Sequence, residues 1–303
     1  MPIFNVFNYL KRPEYVFRPS QVLNRLCRIG KETPPTATIT LPWGSAIKLR
    51  TNENVGSDIF HFGIFDRVVP ESIYRLTDEG ELAVEAGANI GQNCSLMAFK
   101  AGPGGRVIAF EPHPEIFQEL KFNASLWPGE MKRNIQLENC ALGDATGEAW
   151  LVNGAGFDHN RGSASLCNGE PENGQGGKYR VPVRRLDEFL TPPMTVGVCK
   201  IDVEGHELSV LKGAEQTLSR RVIRDIIFED FNPKPSAVTE LLTRNGFTIF
   251  ELHEGWLKPS LAPMNLENIS RVRKFSCNYL ATLDPARAIK RFRSPGWRCL
   301  LNL

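Results

Sequence analysis

Val84-Glu-Ala-Gly-Ala-Asn-Ile-Gly91 is the stretch whose reading decides the fold: an apolar run ends in Glu85 and enters a tight turn between Gly87 and Gly91. Twenty residues after Gly91, Glu111 closes a second apolar run, Val107-Ile-Ala-Phe110. A turn of this kind lets backbone amides approach a ligand, and a carboxylate at the tip of the next strand accepts hydrogen bonds from ribose hydroxyls. The pair of strands therefore predicts a site for an adenosine-containing cofactor. A dinucleotide fingerprint needs a glycine at the middle position to clear space for a pyrophosphate, and here that position is Asn89. Glu85 would repel a pyrophosphate but would hold a cationic amino group. S-adenosylmethionine fits this turn better than NAD.

The pattern around these strands alternates strand and helix. A helix after Gly91 carries Cys94, Met97 and Ala98 on one side and stops at Gly102-Pro-Gly-Gly105. Pro112 and Pro114 start a second helix, with Ile116, Phe117, Leu120 and Ala124 at helical spacing, and Pro128-Gly129 ends it. Further strands are predicted near Ile135 to Cys140, Gly197 to Ile201, Ile226 to Phe228, Thr248 to Leu252 and Asn278 to Leu283, the last returning antiparallel. Helices follow His206 and Ser236, and Asn245-Gly246 stops the latter. The expectation is an α/β, Rossmann-like sheet of seven mostly parallel strands, with ligands bound beyond their carboxyl ends.

Two further strands, Glu148 to Val152 and Tyr179 to Val183, bracket Gly154 to Gly177, a stretch with seven glycines and three asparagines. A loop of this length is either functional or disordered. Residues 1–80 read as an N-terminal cap with a helix around Pro19 to Cys27 and a hairpin turning at Trp43-Gly44. Residues 81–284 form the main domain. Residues 285–303 form a basic tail, with Arg287, Lys290, Arg291, Arg293 and Arg298 against a single nearby acid, and read as a solvated helix or a frayed end.

Composition narrows the function. With 42% hydrophobic residues in 303, the chain holds ample core material, and a net charge of +2 gives no electrostatic case for nucleic acid. No run is apolar enough to span a membrane and no signal pattern opens the chain, which makes a cytoplasmic location the expectation. The seven cysteines show no metal-ligand spacing, which argues against a structural zinc, and Asp202, Glu204 and Glu229 lack a diagnostic ligand spacing, so a metal-free site is expected.

The chain resembles the FkbM family of methyltransferases in Val84–Gly91, Val107-Ile-Ala-Phe-Glu-Pro112, Asn139-Cys-Ala-Leu-Gly-Asp144, Val183-Arg-Arg-Leu-Asp187 and Lys200-Ile-Asp-Val-Glu-Gly-His-Glu-Leu-Ser-Val-Leu-Lys-Gly-Ala214, in matching order. Glu85 stands where Asp is more usual, and His206 where a small residue is frequent. The resemblance covers roughly residues 40 to 252. It implies a class I methyltransferase sheet and methyl transfer from S-adenosylmethionine to an oxygen of a small molecule, often a sugar or polyketide hydroxyl. It further implies that Glu85, Gly87, Ala88, Asn89 and Gly91 line the methionine and ribose side, that Glu111 takes the ribose hydroxyls, and that Ala141 and Leu142 flank adenine, with Asp144 toward its amino group.

A hydroxyl acceptor needs a base for its proton. Asp202, at the end of the Gly197–Ile201 strand, is the first candidate, as a cofactor or acceptor contact, with His206 as the candidate base and Glu204 between them. His159 and Ser163 could reach the acceptor from the glycine-rich loop, and Glu229 and Asp230 from the next strand end. Nitrogen or carboxylate methylation stays open beside oxygen. Two other classes compete: a cofactor-binding scaffold without catalysis, and an NAD-dependent oxidoreductase.

Overall fold

The computed structural model describes residues 13–27, 32–167, 169, 177–264 and 277–301. Strands β1 (Thr36–Thr40) and β2 (Ala46–Arg50) pair antiparallel in the predicted hairpin, whose turn needs Gly44 in the left-handed region at φ +89°. Helices Asn54–Phe62 and Val68–Leu76 follow. The chain then enters the main sheet through β3 (Leu82–Ala86), β4 (Arg106–Phe110) and β5 (Ile135–Glu138). A second sheet is built from β6 (Ala141–Leu142), β7 (Gly147–Val152), β8 (Ser165–Cys167) and β9 (Lys178–Arg184). The main sheet resumes with β10 (Val196–Ile201), β11 (Ile223–Glu229), β12 (Thr248–His253), β13 (Ser260–Pro263) and β14 (Asn278–Thr282).

The order across the main sheet is β13-β12-β14-β11-β10-β3-β4-β5, eight strands where seven are expected. The addition is β13, a short edge strand ending in Pro263 and paired antiparallel with β12. Proline is tolerated there because an edge strand has amides with no ladder partner. The β14 strand runs antiparallel to both β11 and β12, as predicted. The strand order reverses between β3 and β10, which are parallel neighbours, and the crevice beyond their carboxyl ends is the place for a ligand.

Period-two alternation buries both faces of the central strands. Ala83, Val107, Ala109, Val198 and Ile227 face one apolar core with the N-terminal elements and helix Gln92–Ala101. Val84, Ile108, Phe110, Cys199, Ile201 and Phe228 face the other, under helices Glu207–Lys212, Glu215–Ser219 and Ala237–Arg244.

Two expectations are corrected here. The strand expected near Ile135 to Cys140 stops at Glu138, and Ala141 and Leu142 beyond it form the separate β6, which pairs with β9 in the second sheet. The basic segment is not a solvated or frayed end. Asp284 caps helix Pro285–Arg293 through the Arg287 amide (3.0 Å), and Phe292, Trp297, Cys299 and Leu300 are buried. Arg287 and Arg291 pair with Asp78, and Arg287 also reaches Asp225. Buried Arg75 bonds Glu71 (2.6 Å) and the carbonyls of Arg291, Ser294 and Gly296, fastening the segment to helix Val68–Leu76.

Candidate active site

The tips of β3 and β10 meet backbone to backbone. Gly87 lies at φ +81°, and a Cβ there would stand 1.9 Å from the Asp202 carbonyl oxygen, so only glycine permits the approach. The Gly87 and Ala88 amides donate to Phe110 O (3.0 and 2.9 Å) and the Asp202 amide to Ala86 O (3.1 Å), tying three strand ends together. Asn89 continues the turn at φ +49°, a conformation asparagine tolerates, and its side chain accepts from the Ile90 amide (2.7 Å). This framework opens a cavity lined by Glu85 to Ile90, Glu111, His113, Cys140 to Leu142, Lys200 and Asp202 to Glu204, with Asn160 to Gly162 crossing it from the second sheet.

Two carboxylates sit in its floor. Glu111 accepts the Asn89 amide on Oε2 (2.8 Å) and the His113 amide on Oε1 (2.9 Å). A carboxylate has about four lone-pair sites, so capacity remains for two hydroxyls. Burial raises its pKa to about 7 against the opposing pull of those amides. Glu85 is 1% exposed and neither of its oxygens has a hydrogen bond of ordinary geometry among the described residues. Burial raises it too, to about 7, with Lys200 pulling the other way.

Lys200 also lines this cavity, a position that motif spacing does not single out. It is the register partner of Glu85 across the β3–β10 ladder and is 5% exposed. Its ammonium donates to Gly87 O (3.0 Å) and lies 3.2 Å from Asp202 Oδ2 and 3.4 Å from Glu85 Oε1. The signal was available in the sequence: a lysine inside an otherwise apolar central strand is buried only when paired.

The opposite end of the cavity is apolar and roofed by the glycine-rich loop. Ala141, Leu142, Leu151, Ala164 and Leu166 form a slot. His113, buried and kept toward its neutral form by desolvation, bonds Asn153 Oδ1 (3.1 Å) and stacks on Phe157 (centroids 4.9 Å, planes 16° apart). Arg161 is held by Glu119 (2.7 Å) and lies over the Phe157 ring. Asn160, Arg161, Gly162, Ala164 and Leu166 of the Gly154 to Gly177 stretch thus line the site; residues 168 and 170–176 lie outside the described residues.

Glu85, Gly87, Ala88, Asn89, Glu111, Ala141, Leu142, Asp202 and Glu204 all reach this cavity. Seven candidates do not line it: Gly91, Asp144, His159, Ser163, His206, Glu229 and Asp230. Gly91, at φ +97°, faces Leu120 and Trp127 in the core and shapes the turn. Asp144 is exposed, its backbone carbonyl accepting from Arg185 and its amide donating to Ser209. His206 stands at the start of helix Glu207–Lys212, where Glu207, not His206, secures the turn by accepting the Val203 and Gly205 amides (3.1 and 3.2 Å). Asp230 points into its own loop, bonded to Lys234, Asn232 and Ser236. His159 and Ser163 are not in the wall either: His159 O accepts the Asn54 amide, and Ser163 Oγ donates to Asn160 O.

Glu229 and Asp66 are acids raised to about 7, mainly by burial and then by neighbouring carboxylates that include Asp202. Asn278 Nδ2 donates to Asp66 (3.1 Å), and Phe65 beside it is clamped by Gln92 through both its amide and its carbonyl.

The Methyltransferase FkbM domain matches residues 85–249. The chain belongs to the FkbM methyltransferase family. The match begins at Glu85 and takes in both cavity carboxylates, Lys200 and the Asp202 turn. Hexuronic acid methyltransferase AglP of Haloferax volcanii is 28% identical over 169 residues, 55% of this chain and 63% of that protein. 31-O-demethyl-FK506 methyltransferase FkbM of Streptomyces tacrolimicus is 29% identical over 201 residues, 56% of this chain and 74% of that one. Among solved structures, an S-adenosylmethionine-dependent O-methyltransferase of Thermotoga maritima aligns over 85% of this chain and 80% of its own at 13% identity and TM-score 0.41. No helix of the described residues is long and apolar enough to cross a membrane.

Proposed function

We propose that this FkbM-family chain transfers the methyl group of S-adenosylmethionine to a hydroxyl oxygen of a small molecule of the sugar or polyketide kind. The observation that carries the reading is the pair of buried carboxylates on neighbouring strand tips: Glu85, ion-paired with Lys200 but without a hydrogen bond of ordinary geometry among the described residues, and Glu111, anchored but with lone pairs to spare. A buried carboxylate with one ion-pair partner suits the ammonium of the methionine moiety, Glu111 suits the ribose diol, and the apolar slot at Ala141 and Leu142 suits adenine. When bound, S-adenosylmethionine supplies an already activated methyl group, so the protein's part is orientation and exclusion of water.

Asp202 and Glu204 at the mouth hold the acceptor hydroxyl by accepting its hydrogen bond. Glu229 and Asp66 are partly buried acids in the field of Asp202 but do not line the cavity, so the acceptor's proton is assigned to neither. Relatives named for a hexuronic acid and for a demethylated FK506 support a small-molecule acceptor.

The test is incubation with methyl-labelled S-adenosylmethionine and a panel of polyols, sugars, hexuronic acids and amines. Label transferred to a hydroxylated acceptor and stable to mild alkali is the expected result. Alkali-labile label would mean a methyl ester, and transfer to amines alone would mean nitrogen chemistry; either overturns the hydroxyl assignment.

A further inference from the structure

We propose that Lys200 is the positioning residue of the cofactor site: its ammonium keeps Glu85 as a carboxylate and ties it to Asp202 and the Gly87 carbonyl, presenting fixed negative charge to an incoming cationic amino group. The inference rests on the cofactor reading above and adds a residue to which the motif assigns no role.

The geometry is specific. Lys200 and Glu85 are register partners on adjacent parallel strands, both on the face covered by helix Gln92–Ala101. Alternation fixes this, since each lies two residues from a core residue of that face, Val198 and Ala83. The ammonium touches three groups from both strand tips: Gly87 O at 3.0 Å, Asp202 Oδ2 at 3.2 Å and Glu85 Oε1 at 3.4 Å. The Gly87 contact is a hydrogen bond, and the two carboxylates are held as ion-pair partners of the same ammonium. Glu85 holds the longest of the three and keeps its oxygens outside hydrogen-bond geometry, available to a ligand.

Charge accounting points the same way. A buried carboxyl without a counter-ion takes up a proton, and a protonated Glu85 would lose its attraction for an ammonium. The other charged groups acting here are acids: Asp202 disfavours ionisation of Glu85, and Asp66, Glu111 and Glu204 act in the field of Lys200. Asn93 is the neutral polar neighbour, from the covering helix. Lys200 is the cation among these groups, so its removal moves the ionisation of Glu85 to higher pH.

The experiment measures S-adenosylhomocysteine affinity by calorimetry from pH 6 to 8.5 for the wild type, Lys200→Met, Lys200→Gln, Lys200→Arg and Glu85→Gln, with circular dichroism to establish folding. Wild-type affinity should strengthen as pH rises through about 7. In Lys200→Met and Lys200→Gln that rise should move up by about one pH unit, giving nearly tenfold weaker binding at pH 6, about threefold at pH 7.5 and almost no deficit at pH 8.5. Lys200→Arg should stay within a few-fold, and Glu85→Gln should flatten the profile. A uniform, pH-independent loss in the Lys200 variants, or an unchanged profile, would overturn the inference, because a purely structural lysine has no reason to move a titration. Absence of wild-type binding at every pH would instead sink the cofactor reading itself.

Discussion

Gly87→Ala is the sharpest single perturbation the structure offers. The methyl group would stand 1.9 Å from the Asp202 carbonyl oxygen, so the β3 and β10 tips must part by more than about 1 Å to reach an ordinary contact. The residue must also hold φ +81°, which costs a non-glycine residue about 1–2 kcal/mol. Parting the tips stretches the Lys200–Gly87 O bond and moves Glu85 and Asp202 relative to each other. Misplacement of that size in a preorganised site costs on the order of 100-fold, or ~2.7 kcal/mol. Gly80→Ala is the matched control: Gly80 has φ +83° and nothing within 4 Å of a Cβ, so it carries the same backbone strain without the clash. Calorimetry with S-adenosylhomocysteine should show roughly 100-fold weaker binding for Gly87→Ala and near-wild-type binding for Gly80→Ala, while thermal melts should fall for both and further for Gly87→Ala. Binding by Gly87→Ala within threefold of wild type would refute the claim that these two tips form the floor of the cofactor site.

Glu111→Gln leaves one of the Asn89 and His113 amides without an acceptor and weakens the contact to ribose, so S-adenosylhomocysteine affinity should fall about 10- to 100-fold, while a ligand lacking the ribose diol should lose nothing further. Arg75→Met strands the buried Glu71 carboxylate and frees the three C-terminal carbonyls, and should cost about 3–5 kcal/mol in urea denaturation without changing cofactor affinity per folded molecule. His113→Ala removes the partner of Phe157 and should weaken binding of an adenosine fragment as much as that of the whole cofactor, which competition titrations would show. Glu85, Glu111, Asp66 and Glu229 all have carboxyl pKa values raised to about 7 in the folded chain, so between roughly pH 4.5 and 7 the folded state binds more protons than the unfolded one. Stability should therefore fall as pH rises through that window, while affinity for a cationic amino group rises; melts and titrations from pH 5 to 8 give both slopes.

Much of this site is legible before folding because its parts are local. The turn Gly87 to Gly91 and the acid at 111 are set by short-range backbone needs, and the apolar runs on either side dictate two adjacent parallel strands. Contacts made across the fold are less visible. The Lys200–Glu85 pair depends on strand order, which places residues 115 positions apart in register. The roof built from His113, Phe157 and Arg161 depends on a second sheet that folds the glycine-rich loop back over the cavity. The C-terminal basic run looks solvated in sequence because the acids that pair with it, Asp78 and Asp225, come from distant positions. His206 and Asp144 lie in segments that match family motifs, yet the turn after β10 and the crossing into β6 direct them away from the cavity.

Direct titration of the wild-type chain with S-adenosylmethionine, and in parallel with NAD, tests the central claim most simply. The account predicts a saturable heat with ~micromolar Kd for S-adenosylmethionine and no measurable heat for NAD, since Glu85 and Asn89 stand where a pyrophosphate would have to lie. Tighter binding of NAD, or no binding of S-adenosylmethionine, would contradict it.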